Sequence, residues 1–102
     1  MVKKGYNIYK AEKLIRILLE YEEIHNKEKV RTVSSIKITG DFFLYPEDSL
    51  EYLETHLKGT RLDRVMLKKK IDECLSNAEL FGFSSESLSE AIMGCLGNPE
   101  GG

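Results

Sequence analysis

At 102 residues the chain has the size of one domain, and its 41% hydrophobic and 31% charged residues suit a folded globule with a well-solvated exterior. A net charge of −2 argues against a nucleic-acid partner, which needs a basic face for its phosphates, and no apolar run approaches the roughly 18–20 residues of a membrane span. The opening Met1-Val2-Lys3-Lys4-Gly5-Tyr6 lacks the apolar stretch of a secretory signal, and the two cysteines, Cys74 and Cys95, make no disulfide framework, so the cytoplasm is the expected compartment.

Residues 1–12 are polar with scattered tyrosines and read as an irregular arm, followed by a folded domain over 13–96. From Lys13 the chain reads as strand. Ile15, Ile17, Leu19 and Tyr21 share one face, with Arg16, Glu20 and Glu22 on the other. Glu23 to Lys29, centred on Asn26, has the polarity of a turn, so a hairpin is expected. The next extended stretch, about Val30 to Tyr45, places Val30, Ile36, Ile38, Phe42 and Leu44 at even positions, the pattern of an antiparallel sheet with one buried face. Gly40 interrupts it as a bulge or bend would, so it reads equally as two strands. By the same parity Val33, Phe43 and Tyr45 point outward.

Three helices should follow. Asp48 with Glu51 three residues later resembles a capping box. Leu50, Leu53 and Leu57 form the stripe of this first helix, and Gly59 ends it. Asp63 is a good N-cap for the second, whose apolar side carries Leu67, Ile71, Cys74, Leu75 and Ala78. The third begins at Ser84 or Ser85, with Phe83 and Leu88 in hydrophobic-staple positions and Ile92, Cys95 and Leu96 on its inner face. The tail over 97–102 is expected to be flexible. A small antiparallel sheet, hairpin plus bent strand, with about three helices packed on one face is an α+β fold.

The chain carries no nucleotide-binding glycine pattern. His25 and His56 stand far apart with no cysteine or carboxylate cluster at metal spacing, Asp41, Glu47 and Asp48 are too loosely spaced to favour a magnesium site over capping, and Lys68-Lys69-Lys70 reads as a solvated helix face. No catalytic residue and no metal ligand is therefore assigned. A sulfur carrier needs an accessible thiolate, whereas both cysteines fall on apolar helix faces and read as core. The distinctive segment is Ile36 to Pro46. There Gly40 permits a bend, and Asp41 is expected to bond neighbouring backbone and hold that bend. Phe42 and Phe43 must then point to opposite faces, which leaves Phe43 an exposed aromatic in want of a partner surface.

In the order and spacing of its motifs the chain resembles the C-terminal, accessory domain of lipoate–protein ligases. The match runs through Lys13-Leu14-Ile15-Arg16 at a strand start, Ile36-x-Ile38-x-Gly40-Asp41-Phe42-Phe43, the helix Leu53-Glu54-x-x-Leu57-x-Gly59, and Phe81-Gly82-Phe83-Ser84-x-Glu86-x-Leu88 before the last helix. It departs from that family in Lys10-Ala11-Glu12 before the strand-initiating Lys13, where a glycine pair is common, and in a longer hairpin connection. The resemblance implies a fold similar to iron–sulfur scaffold and sulfur-transfer proteins, and an accessory subunit that forms a heterodimer with a large catalytic subunit. That partner would use ATP, Mg2+ and lipoate to make lipoyl-adenylate and would lipoylate carrier domains, so this chain binds no cofactor and meets the carrier only indirectly. A partner-binding face is expected around Lys13, Val33, Gly40, Asp41, Phe43 and Tyr45. The runner-up is a sulfur-transfer or iron–sulfur scaffold role on the same fold, and a third reading is an interaction module unconnected with lipoate.

Overall fold

In the computed structural model, which describes residues 2–25 and 28–97, the alternation of Ile15, Ile17, Leu19 and Tyr21 lies on β2 (Leu14–His25), the central strand of a three-stranded antiparallel sheet. Its neighbours are β1 (Val2–Lys10) and β3 (Lys29–Gly40). A separate ribbon pairs β4 (Phe43–Tyr45) with β5 (Glu79–Phe81). Helices α1 (Ser49–His56), α2 (Arg64–Cys74) and α3 (Ser85–Gly94), followed by a 3-10 turn over Cys95–Gly97, pack on one face of the larger sheet. The α+β expectation holds in class, with two strands more than the sequence suggested.

The first correction is at the N-terminus, where the expected irregular arm is strand β1, paired residue by residue with β2 from Val2↔Glu22 to Lys10↔Leu14. Its alternation hides because three of its four inward positions, Lys3, Gly5 and Asn7, are not apolar, and only Tyr9 packs against the core as a hydrophobic side chain. Gly5 lets α3 come close, since a Cβ there would overlap the Cys95 carbonyl, and Asn7 Nδ2 donates to the Ala91 carbonyl at 2.9 Å. Polar residues inside a sheet face are tolerated when they bond the element that covers them.

The second correction is the hairpin. Both strands run further than the polar sequence suggests, pairing Glu23 with Arg31 and His25 with Lys29, while Asn26, the expected turn centre, lies outside the described residues. Glu23 continues the inward face of β2 past the helices and is only 6% exposed. Lys3 Nζ (2.6 Å), His25 Nε2 (2.9 Å) and Lys29 Nζ (3.5 Å) surround its carboxylate. It is covered by these long side chains rather than by the core. Hydrogen bonds from Lys3 and then His25 draw its pKa down to about 2.

The third correction is Val33. Glu20 pairs with Ser35 but Tyr21 pairs with Val33, so Ser34 is an extra residue in β3, a β-bulge. The bulge reverses the parity of everything before it. Val33 therefore shares the inner face with Ile36 and Ile38 and is 3% exposed. Its backbone is also occupied, because Val33 N–H donates to Thr60 O and Gly59 N–H donates to Val33 O.

Helix starts divide. Asp63 accepts from the N–H groups of Val65 and Met66, and Ser84 and Ser87 form a reciprocal capping box, both at sequence-expected positions. Asp48 makes no side-chain cap, because its backbone is already helical. Instead the chain turns at a cis Tyr45–Pro46 peptide, with Ser49 N–H donating to Pro46 O. Ala78 lies past the end of α2 in a turn whose N–H reaches Leu75 O. Of the expected tail only Gly97 is described, closing the 3-10 turn.

Two outcomes follow. Glu23 has a depressed pKa in the fold relative to its ordinary 4.5, so its contribution is fully present above that value and is lost as pH falls toward about 2. In denaturant titrations the stability gap between wild type and Glu23→Gln should therefore close from about pH 5 down to about pH 2. A pH-independent gap would mean that Glu23 acts through packing alone. At Gly40, φ is +156° and a Cβ would overlap the Leu14 carbonyl, so Gly40→Ala should cost about 1–3 kcal/mol, read as a lowered melting temperature.

Candidate partner-docking site

Five of the six residues singled out from the sequence, all but Val33, converge on one structure. β3 ends at Gly40, and Asp41 N–H donates to Leu14 O at 3.0 Å. The bend is held by this backbone bond, and the Asp41 side chain, expected to hold it, stands exposed. Lys13 N–H donates to Gly82 O at 2.9 Å, and a Cβ at Gly82, where φ is +93°, would run into the Lys13 stem. The start of β2 thus grips the ribbon through both of its strands.

On the gripped ribbon, alternation separates two pairs of aromatics. Phe42 turns inward against the core, its ring centroid 4.7 Å from that of Phe83. Phe43 turns outward, paired across the strands with Phe81 at a centroid distance of 5.8 Å. Phe43, Tyr45 and Phe81 are 52%, 59% and 49% exposed. Three aromatics on the outside of a backbone fixed at both strands form a preorganised apolar patch, the composition that interface cores favour. Val33 takes no part in it. Sequence reasoning missed Phe81, although Phe81-Gly82-Phe83, like Phe42-Phe43, sets one aromatic outside and one inside around a bend.

Beside Phe43 a cleft of about 380 Å³ is lined by Lys37, Thr39, Gly40, Glu47 and Leu50. At its floor the edge of β3 is plugged by a side chain, Ile38 N–H donating to Glu54 Oε2 at 2.7 Å. A larger cleft, about 480 Å³, lies on the helical side among His56, Lys58, Arg61, Lys69 and Lys70. Its cations are surface side chains. His56 stacks on Tyr52 at 3.9 Å and its Nδ1 lies 2.8 Å from the Tyr52 carbonyl, and Lys68 bonds Asp72 at 2.9 Å.

The remaining chemical candidates are the thiols. Cys95 is buried, with its Sγ 3.6 Å from the Ala91 carbonyl, and burial pushes its pKa up to about 12. Cys74 is half-buried, and its pKa is raised chiefly by the same cause. Both are core positions in which a thiolate is disfavoured. Among the described residues no group of three or more His, Cys, Asp or Glu is placed to hold a metal ion, and no helix is long and apolar enough to cross a membrane.

The family model for the bacterial lipoate protein ligase C-terminus matches residues 23–92. Over 58 residues the chain is 36% identical to lipoate-protein ligase A subunit 2 of Thermoplasma acidophilum, an alignment that takes in 56% of this chain and 54% of that protein. It therefore spans about half the length of the curated relative it matches. Among solved structures it is similar to a chain from the archaeal lipoylation system of Thermoplasma acidophilum, a bipartite lipoate protein ligase and its E2 lipoyl domain. That likeness has a TM-score of 0.73 and 28% identity, and it covers 90% of this chain and 97% of the other. With a family match over more than half of its length and a shared fold over 90% of it, the chain belongs to the lipoate protein ligase C-terminal domain family.

Proposed function

We propose that this chain is the non-catalytic accessory subunit of a bipartite lipoate–protein ligase, working in the cytoplasm as a heterodimer with the catalytic large subunit. The observation that carries the reading is the rigidly mounted patch of Phe43, Tyr45 and Phe81 on a chain of this family. Two backbone bonds hold the ribbon before any partner arrives, so docking costs little ordering entropy. The docked ribbon favours the partner conformation in which its adenylate-binding loops are in place, a population shift that preorganises the reaction. ATP, Mg2+ and lipoate belong to the partner, which makes lipoyl-adenylate and passes the lipoyl group to a carrier lysine. This chain has neither a metal-holding cluster among its described residues nor a phosphate loop.

Lipoate-dependent ATP–pyrophosphate exchange by the large subunit should appear, or rise severalfold, only when this chain is added. Equal exchange by the large subunit alone would remove the activation role. Phe43→Ala should weaken association by about 1–3 kcal/mol while leaving the circular-dichroism melt near that of wild type. Unchanged affinity would take Phe43 out of the interface.

A sulfur-transfer role on the same fold requires a reactive thiolate, and the burial of Cys95 and the raised pKa of both thiols count against it. Thiol labelling of the native protein should be slow at both positions and quicken on unfolding. One fast native thiol would restore the sulfur reading.

A further inference from the structure

The three exposed aromatics of the ribbon are too few to hold a stable heterodimer, which takes about 800 Å² from each partner, or roughly 20–30 residues. A partner seated on them must rest on adjoining surface as well. The cleft beside Phe43 leads there, because two of its lining residues, Lys37 and Thr39, lie on the outer face of the three-stranded sheet. That face is the one the helices leave uncovered.

Cross-strand register gives its composition. Tyr6 pairs with Leu18 and Leu18 with Lys37, while Ile8 pairs with Arg16 and Arg16 with Thr39. Above and below these rows Lys10 pairs with Leu14 and Lys4 with Glu20. Tyr6, Ile8 and Leu18 therefore form an apolar stripe, with Ile8 51% and Leu18 44% exposed. Lys4, Lys10, Arg16 and Lys37 border it. The carboxylates on this face are Glu20, which accepts from Ser35 Oγ at 2.7 Å, and Glu22, one strand position short of the hairpin hub. None of the four bordering cations has a carboxylate within ion-pair distance among the described residues.

We infer that this outer face continues the docking surface begun at the ribbon, and that its occupant is an acidic, partly apolar face of the catalytic subunit. The inference rests on the reading of the chain as an accessory subunit. An apolar stripe bordered by cations that have no ion-pair partner among the described residues is the anatomy of a protein interface, with a desolvated centre and a charged rim. A nucleic acid would be met by cations without the central stripe. The other concentration of lysines, around the cleft on the helical side, shares no residue with the ribbon. Exposed cations act mainly through steering, so their contribution falls with salt and shows chiefly in the association rate.

The test is binding of the full-length chain to the catalytic subunit of the same organism, at about 50 mM and about 300 mM salt. The variants are Arg16→Glu/Lys37→Glu, Lys69→Glu on the helical side, and Phe43→Ala. The double reversal should weaken low-salt affinity by about 10-fold or more, mostly in the association rate, and flatten the salt dependence, while Lys69→Glu stays within about 2-fold. Should the double variant melt early, Lys4→Glu and Lys37→Glu singly carry the same comparison. Wild-type affinity in the charge reversals alongside weakened Phe43→Ala would overturn the inference and leave ribbon docking standing. Equal losses in Lys69→Glu would also overturn it, since the charge effect would then be general. Loss of binding to a lipoyl carrier domain or to nucleic acid, with binding to the catalytic subunit intact, would refute the occupant. No association of the wild-type chain at all would sink both the inference and the reading beneath it.

Discussion

Two backbone hydrogen bonds at the head of β2 join the two sheets of this protein. Lys13 donates to the Gly82 carbonyl and the Leu14 carbonyl accepts from Asp41. The β4–β5 ribbon has three residues in each strand, too little to stand alone in water. Its position is therefore inherited from the larger sheet. Both bonds need close approach of backbone to backbone, and at each a glycine clears the way, Gly40 under the Leu14 carbonyl and Gly82 under the Lys13 stem. Once the ribbon is held, strand alternation does the rest: Phe42 and Phe83 go into the core, and Phe43 and Phe81 are left outside.

The same alternation divides the larger sheet. Its inner face takes the helices, with Ile15, Ile17, Ile38, Leu53, Leu67 and Ile92 essentially without exposure. The approach of α3 is closest at β1, where Gly5 admits the Cys95 carbonyl and Asn7 bonds the end of the helix. Where the helices stop covering this face, at the hairpin, the apolar series is replaced by a carboxylate ringed with cations. A buried carboxylate there stays charged because its partners are already in place, and breaking up the ring would leave it unpaired.

Neither thiol is set up as a nucleophile. The thiols are core groups whose burial disfavours the thiolate, and the histidines are engaged with Glu23 and with the Tyr52 carbonyl. What the fold does supply is a stiff platform with an aromatic patch at one end. In the accessory role proposed for this chain, such a platform would favour one conformation of its partner over the others.

Much of this was legible in the sequence, because it depends on local rules. The β2 alternation, the caps at Asp63 and Ser84, the bend at Gly40 and the outward Phe43 follow from period, cap chemistry and parity within a few residues. The motifs around Gly40-Asp41-Phe42-Phe43 pointed to the family. Four features came only from the tertiary structure. β1 was hidden because its inward residues, Gly5 and Asn7, are chosen to fit α3 rather than to be apolar. Val33 was placed on the wrong face because the bulge at Ser34, visible only against β2, reverses parity along β3. The plain sequence likewise does not show that Glu23 is buried among cations from the two flanking strands, or that Phe81 lies beside Phe43. Each of these depends on a partner distant in the chain, and local periodicity carries no information about which distant residue will stand opposite.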